Sequence, residues 1–242
     1  MGASNYYLLT SGGWITPGYT LYIDPSNIES FNATKSNNTV LDLVDKNNFI
    51  FYPNGVNYSN NYVIFRSNNH DYARLNINPP ILDLSSCDFT IEILFWNATG
   101  NLVSNPIIFK GDPLQPRSLD WGISIINNYL AFQNKSGILT LNGFSFEANV
   151  VYHICLVYNS AISEFGCYIN NVYYMIYNNA GTPITSNFYA VKPNGTLGAV
   201  SLLNPILKKT FGGGIGTIRL YDKSLSANEV LNNYNIEILK KI

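Results

Sequence analysis

The sequence predicts an all-β protein in which two antiparallel sheets pack face to face and one short helix closes the C-terminus. Three observations point there. Apolar runs are short, rich in β-branched and aromatic side chains, and divided by Asn, Gly, Pro and Ser. Two Asn-Asn pairs sit between such runs where a hairpin turn is needed. The 242 residues are 46% hydrophobic and only 12% charged, enough apolar material for one sandwich core and too little charge for a disordered chain.

Taken in order, residues 1–18 read as an N-terminal arm carrying Trp14 and Pro17, and strands are expected at 20–24, 62–65 and 72–77. The clearest strand is 89–96. There Phe89, Ile91, Ile93 and Phe95 alternate with Thr90, Glu92, Leu94 and Trp96, so one face is wholly apolar and Glu92 falls on the solvent side. A further strand is expected at 106–109. Strands 121–126 and 129–133 are joined by Asn127 and Asn128, residues that tolerate the two positive φ values of a I′ turn. Strands at 138–141 and 151–158 follow. Asn170 and Asn171 repeat the device between 165–169 and 172–177. The cluster Gly212, Gly213, Gly214 and Gly216 leads into a strand at 215–221 and lacks the Lys and helix of a phosphate loop, so a bulge or tight turn is expected. Ser226, with Glu229 three residues on, marks the single helix start. The sandwich domain is bounded at 19–235, and 236–242 form a C-terminal tail or extend the helix.

Fourteen Lys and Arg against fifteen Asp and Glu leave a net charge of −1, which supplies no footprint for nucleic acid. No apolar run approaches a membrane span, so membrane insertion is not expected. Cys87, Cys155 and Cys167 show no CxxC spacing and read as buried free thiols. His70 and His153 begin no metal-binding pattern, and no GxSxG elbow occurs. The same-face neighbours of Glu92 on its strand, Thr90 and Leu94, offer no second carboxylate, so the acid and base of a glycosidase are not marked. What remains is binding chemistry. Aromatic faces with neighbouring carboxylates suit sugars, and Trp121 beside Asp120 and Tyr72 beside Asp71 are the candidate carbohydrate contacts. Calcium is the one candidate cofactor, with Asp112 as its loop ligand.

The run from Gly216, Thr217, Ile218, Arg219, Leu220 and Tyr221 through Ser226, Ala227, Asn228, Glu229 and Val230 resembles the last strand and terminal helix of the concanavalin A-like, laminin-G-like jelly-roll domains. Residues 89–96 are similar to that family's inner strand ending in Trp. Val151, Tyr152 and His153, with Tyr168, Ile169 and Asn170, are similar to its hairpin. Leu21 to Asp24, Val40 to Leu43, Asn54 with Gly55, and Asp71 with Tyr72 resemble the opening of a subgroup found in phage and viral structural proteins. Two positions depart from the pattern: Asn171 stands where the hairpin carries Gly, and Gly216 with Thr217 stand where many relatives carry acidic residues, which speaks against a family-type calcium position there. The resemblance implies a jelly-roll sandwich and a non-catalytic, lectin-like virion surface protein that contacts cell-surface glycans or neighbouring virion proteins. The alternatives are an assembly protein that forms a homo-oligomer through an exposed face or its arm, and a glycoside hydrolase or lyase with unmarked catalytic residues. The expected location is the virion surface, or otherwise the extracellular space or a cell surface.

Overall fold

The structure is a computed structural model and describes residues 9–10, 13–14, 18–27, 29–31, 39–45, 48–52, 57–66, 71–75, 84, 88–98, 105–111, 119–134, 137–162, 164–177, 195–197, 199–200 and 209–239. In chain order the strands are β1 (Leu9–Thr10), β2 (Gly13–Trp14), β3 (Tyr19–Ile23), β4 (Thr39–Leu41), β5 (Asn48–Tyr52), β6 (Asn57–Ser59), β7 (Tyr62–Phe65), β8 (Tyr72–Leu75), β9 (Phe89–Asn97) and β10 (Asn105–Gly111). They continue as β11 (Leu119–Ile126), β12 (Tyr129–Asn134), β13 (Gly137–Thr140), β14 (Val151–Asn159), β15 (Glu164–Ile169), β16 (Val172–Tyr177), β17 (Gly195–Leu197), β18 (Ala199–Val200), β19 (Lys209–Thr210) and β20 (Gly213–Tyr221), followed by helix α1 (Ala227–Ile238).

Two eight-stranded antiparallel sheets form the sandwich. One runs β13-β12-β11-β10-β17-β8-β5-β4; the other runs β16-β15-β14-β9-β20-β7-β6, with β3 also paired to β20. β20 is bordered on one side by β9 and on the other by β7 and then β3, which take successive halves of its length. The expected alternation on β9 holds: Phe89, Ile91, Ile93 and Phe95 are each 0% exposed and face the other sheet. Burying side chains of this size contributes about 1.5–3 kcal/mol each. Across the interior Phe132 of the opposite sheet meets Phe165 at 5.0 Å and Phe89 at 6.4 Å between ring centroids.

Both predicted Asn-Asn turns are present, with φ of 50° and 69° at Asn127 and Asn128 and 47° and 66° at Asn170 and Asn171. A third pair, Asn60 and Asn61, repeats the geometry between β6 and β7 at 50° and 68°. The glycine cluster opens β20 and is followed by a register irregularity against β9 between Ile215 and Ile218, as a bulge requires. Gly213 has φ of +151°, and a Cβ there would stand 2.2 Å from the Trp96 carbonyl oxygen.

The helix begins as predicted. Ser226 accepts from the Glu229 N–H, and the Glu229 side chain accepts from the Ser226 N–H, completing a capping box. It runs to Ile238, because Ile236 and Glu237 are buried on the sheet and hold the last turn down. Within the expected arm, β1 and β2 form a small antiparallel ribbon, and β2 lies beside α1. Among the described residues no helix is long and apolar enough to cross a membrane. Cys155 and Cys167 are buried free thiols, and Cys87 lies outside the described residues.

Candidate functional site

The sheet containing β9 has two faces, and its outer face carries the polar chemistry. Register places Glu92 of β9 between Arg219 of β20 and Cys155 of β14, with Tyr22 of β3 beyond Arg219 and Tyr168 of β15 beyond Cys155. Helix α1 lies over part of this row and presents Val230, Asn233, Tyr234 and Glu237, spaced i, i+3, i+4 and i+7. The result is a sealed polar cluster. Glu92 Oε1 accepts from Arg219 Nη1 at 2.9 Å and from His153 Nε2 at 2.7 Å; Oε2 accepts from Asn233 Nδ2 at 3.0 Å. Arg219 Nη2 donates to Glu237 Oε1, whose Oε2 accepts from Thr217 at 2.7 Å. The guanidinium also lies 4.8 Å from the centre of the Tyr22 ring.

Here the structure corrects an expectation. Glu92 does not face solvent; it and His153 are both 0% exposed. Reading Glu92 along its own strand missed the partner, which comes from the adjacent strand and from the helix. Burial alone would raise the Glu92 carboxyl, but the Arg219 charge and the His153 hydrogen bond outweigh it and hold it down to about 2. The same enclosure pushes the Tyr22, Tyr221 and Cys155 groups above their ordinary ranges, chiefly by desolvation.

Beside this cluster, where α1 begins, the outer face opens into a groove of about 320 Å³. Its floor is apolar: Leu225 belongs to a small buried cluster with Cys155, Tyr221 and Val230, and Val157 and Tyr168 pack against that cluster. One wall carries Ile162, Glu164 and Tyr173, the other Ser224, Ser226 and Glu229. Two hydrogen bonds fix the second wall to the sheet, from Thr90 Oγ1 to the Lys223 carbonyl at 2.8 Å and from the Leu225 N–H to Thr90 Oγ1 at 3.0 Å. Tyr168 and Tyr173 face each other across the β15-β16 hairpin with ring centroids 4.9 Å apart. The Tyr173 ring rests over Gly166, where a Cβ would stand 2.3 Å from it, and its hydroxyl donates to Glu164. Desolvation, then this bond, raises the Tyr173 phenol above its ordinary range. Glu229 Oε1 accepts from Lys223 Nζ at 2.8 Å; with the Ser226 bonds this outweighs partial burial and lowers the Glu229 carboxyl. The groove therefore offers an apolar floor, half-exposed phenol rings and two carboxylates, a combination that can hold the apolar face of a sugar and accept from its hydroxyls.

The residues singled out from sequence do not assemble here. Trp121 is 1% exposed and belongs to the core between the sheets, so its ring is not presented to a ligand. Asp120 immediately precedes it in β11. Asp71 is 3% exposed and accepts from the Arg66 backbone N–H and from its Nε, at 3.0 and 2.9 Å. Tyr72 is half-buried at the start of β8 on the other sheet. Asp112 lies outside the described residues, and among the described residues no group of three or more His, Cys, Asp and Glu converges for a metal ion.

No family model and no curated protein matches this sequence. Solved structures do. The sialidase of Trypanosoma rangeli in complex with 2,3-difluoro-KDN superposes with a TM-score of 0.66 at 12% identity, over 95% of this chain and 34% of the sialidase. Domain 4 of AbnA, a GH43 extracellular arabinanase from Geobacillus stearothermophilus, in complex with arabinotriose, superposes with 0.62 at 13% identity, over 90% of this chain and 98% of that one. Botulinum neurotoxin type C, whose cell entry depends on interaction with two ganglioside molecules, matches with 0.60 at 16% identity, over 92% and 51%. The chain thus spans about a third of the length of the sialidase. These likenesses show the fold, an all-β sandwich. They also overturn the expectation that the chain is not an enzyme, because glycoside hydrolases, a sialidase and an arabinanase, stand among the proteins that share its architecture.

Proposed function

We propose that this chain is a carbohydrate-directed β-sandwich module that takes a glycan in the groove at the start of α1. The observation that carries the reading is the groove itself, where Tyr168 and Tyr173 stand beside Glu164 and Glu229 over an apolar floor. Support comes from the superposed proteins, which include a sialidase, an arabinanase domain holding arabinotriose and a toxin that interacts with gangliosides. The opening segments from Leu21 to Asp24 and from Val40 to Leu43 support placing the module at a virion surface.

The test is a glycan array run beside a polysaccharide panel read for released sugars. Tyr173→Ala, at a position 38% exposed, is expected to weaken binding at least about tenfold with the fold unchanged. No binding and no turnover on either panel would remove the carbohydrate reading. Absence of the protein from purified particles of its source would remove the virion placement alone.

A further inference from the structure

Resting on that reading, we infer that the groove selects uncharged saccharides over acidic ones. Among the described residues the acidic side chains that line it are Glu164 and Glu229, and no Lys, Arg or His lines it. A helix N-terminus is the usual place for a protein to receive an anion. In this groove that position is already taken. Glu229 Oε2 accepts from the Ser226 backbone N–H at 2.8 Å and from its hydroxyl at 2.9 Å, so the chain's own carboxylate sits where a ligand carboxylate would go. The nearby cation, Lys223, is spent in the same way on Glu229 Oε1 at 2.8 Å. A sialic or uronic acid carboxylate entering the groove meets like charge, with no lining cation among the described residues to receive it. A neutral sugar donates its hydroxyls to the same carboxylates and lays its apolar face on Tyr173 and Ile162, which are 38% and 61% exposed. The selectivity therefore comes as much from repulsion as from attraction.

The experiment is an array carrying neutral oligosaccharides beside the same oligosaccharides capped with sialic acid or oxidised to uronic acids. The expected result is neutral members bound at least about tenfold more tightly at low salt, about 1.4 kcal/mol, with the gap narrowing at about 0.5 M salt as screening shortens the reach of the carboxylates. Ile162→Lys puts a cation on the exposed rim and is expected to shrink or invert the gap while thermal melting stays unchanged. If acidic members bind as well as neutral ones, and Tyr173→Ala still abolishes both, the selectivity is refuted and the glycan reading stands. If neither class binds, or binding ignores both Tyr173→Ala and Ile162→Lys, the glycan reading falls and this inference with it.

Discussion

Arg219 shows how much one residue can decide. It is 0% exposed and stands between two carboxylates, one from its neighbouring strand and one from α1. Removing a buried partner leaves an uncompensated charge, so Arg219→Leu is expected to destabilise the fold by about 3–5 kcal/mol, far more than the loss of an exposed ion pair such as Lys223 with Glu229. Chemical denaturation of the two variants side by side checks this; equal and small losses would mean that the buried cluster contributes little. Gly166 controls the groove instead of the fold. A methyl there would stand 2.3 Å from the Tyr173 ring, the far end of a half-exposed side chain that can give way by leaving its seat beside Tyr168. Gly166→Ala is therefore expected to weaken glycan binding at least about tenfold with a cost in stability under about 1 kcal/mol. A variant that binds normally would show that the Tyr173 seat is irrelevant to recognition.

Between elements, β20 is the strand on which the outer-face chemistry depends, and its opening glycines set its approach to β9. At Gly213 an added Cβ meets the Trp96 backbone oxygen at 2.2 Å and the backbone has φ of +151°; at Gly214 it meets only the Trp96 ring. Gly213→Ala should accordingly cost about 2–3 kcal/mol and Gly214→Ala clearly less, because backbone cannot move aside as a partly exposed ring can. Thermal melts that ranked the two in the opposite order would refute the argument. Strands such as β9, β14 and β16 were legible in the sequence because alternation and Asn-Asn turns are local signals. Strands β4, β6 and β17 were not: each is three residues long, and β17 exists because β10 and β8 flank it, pairing Thr196 with both Phe109 and Arg74. The groove was illegible for the same reason. Tyr168 and Tyr173 could be paired across the Asn170–Asn171 turn, but nothing local says that the segment after β20 returns over Thr90 to wall them in.

Seen over the entire molecule, the buried cluster joins β9, β14, β20 and α1, so its ionisation is coupled to the fold as a unit. The Glu92 carboxyl is held at about 2 against an ordinary 4.5. A group depressed on folding contributes stability that is fully present above its unfolded value and is lost as the pH falls toward its folded one. For Glu92 that window lies between about pH 4.5 and 2, with a contribution on the order of 3 kcal/mol. Glu229, lowered as well, acts in the same direction. Tyr221 and Cys155 work from the other side: their values are raised above the ordinary 10.0 and 9.0, so their contribution is complete below those values and declines as the pH climbs past them. Melting temperature should therefore form a plateau between about pH 5 and 9 and fall on both flanks. Replacing Glu92 by Gln should lower the plateau and flatten the acid flank, since the variant has no carboxyl at that position to protonate. A melting temperature at pH 2.5 equal to that at pH 6, in the unsubstituted chain, would mean that the cluster is not the ionised network that ties α1 to the sheet.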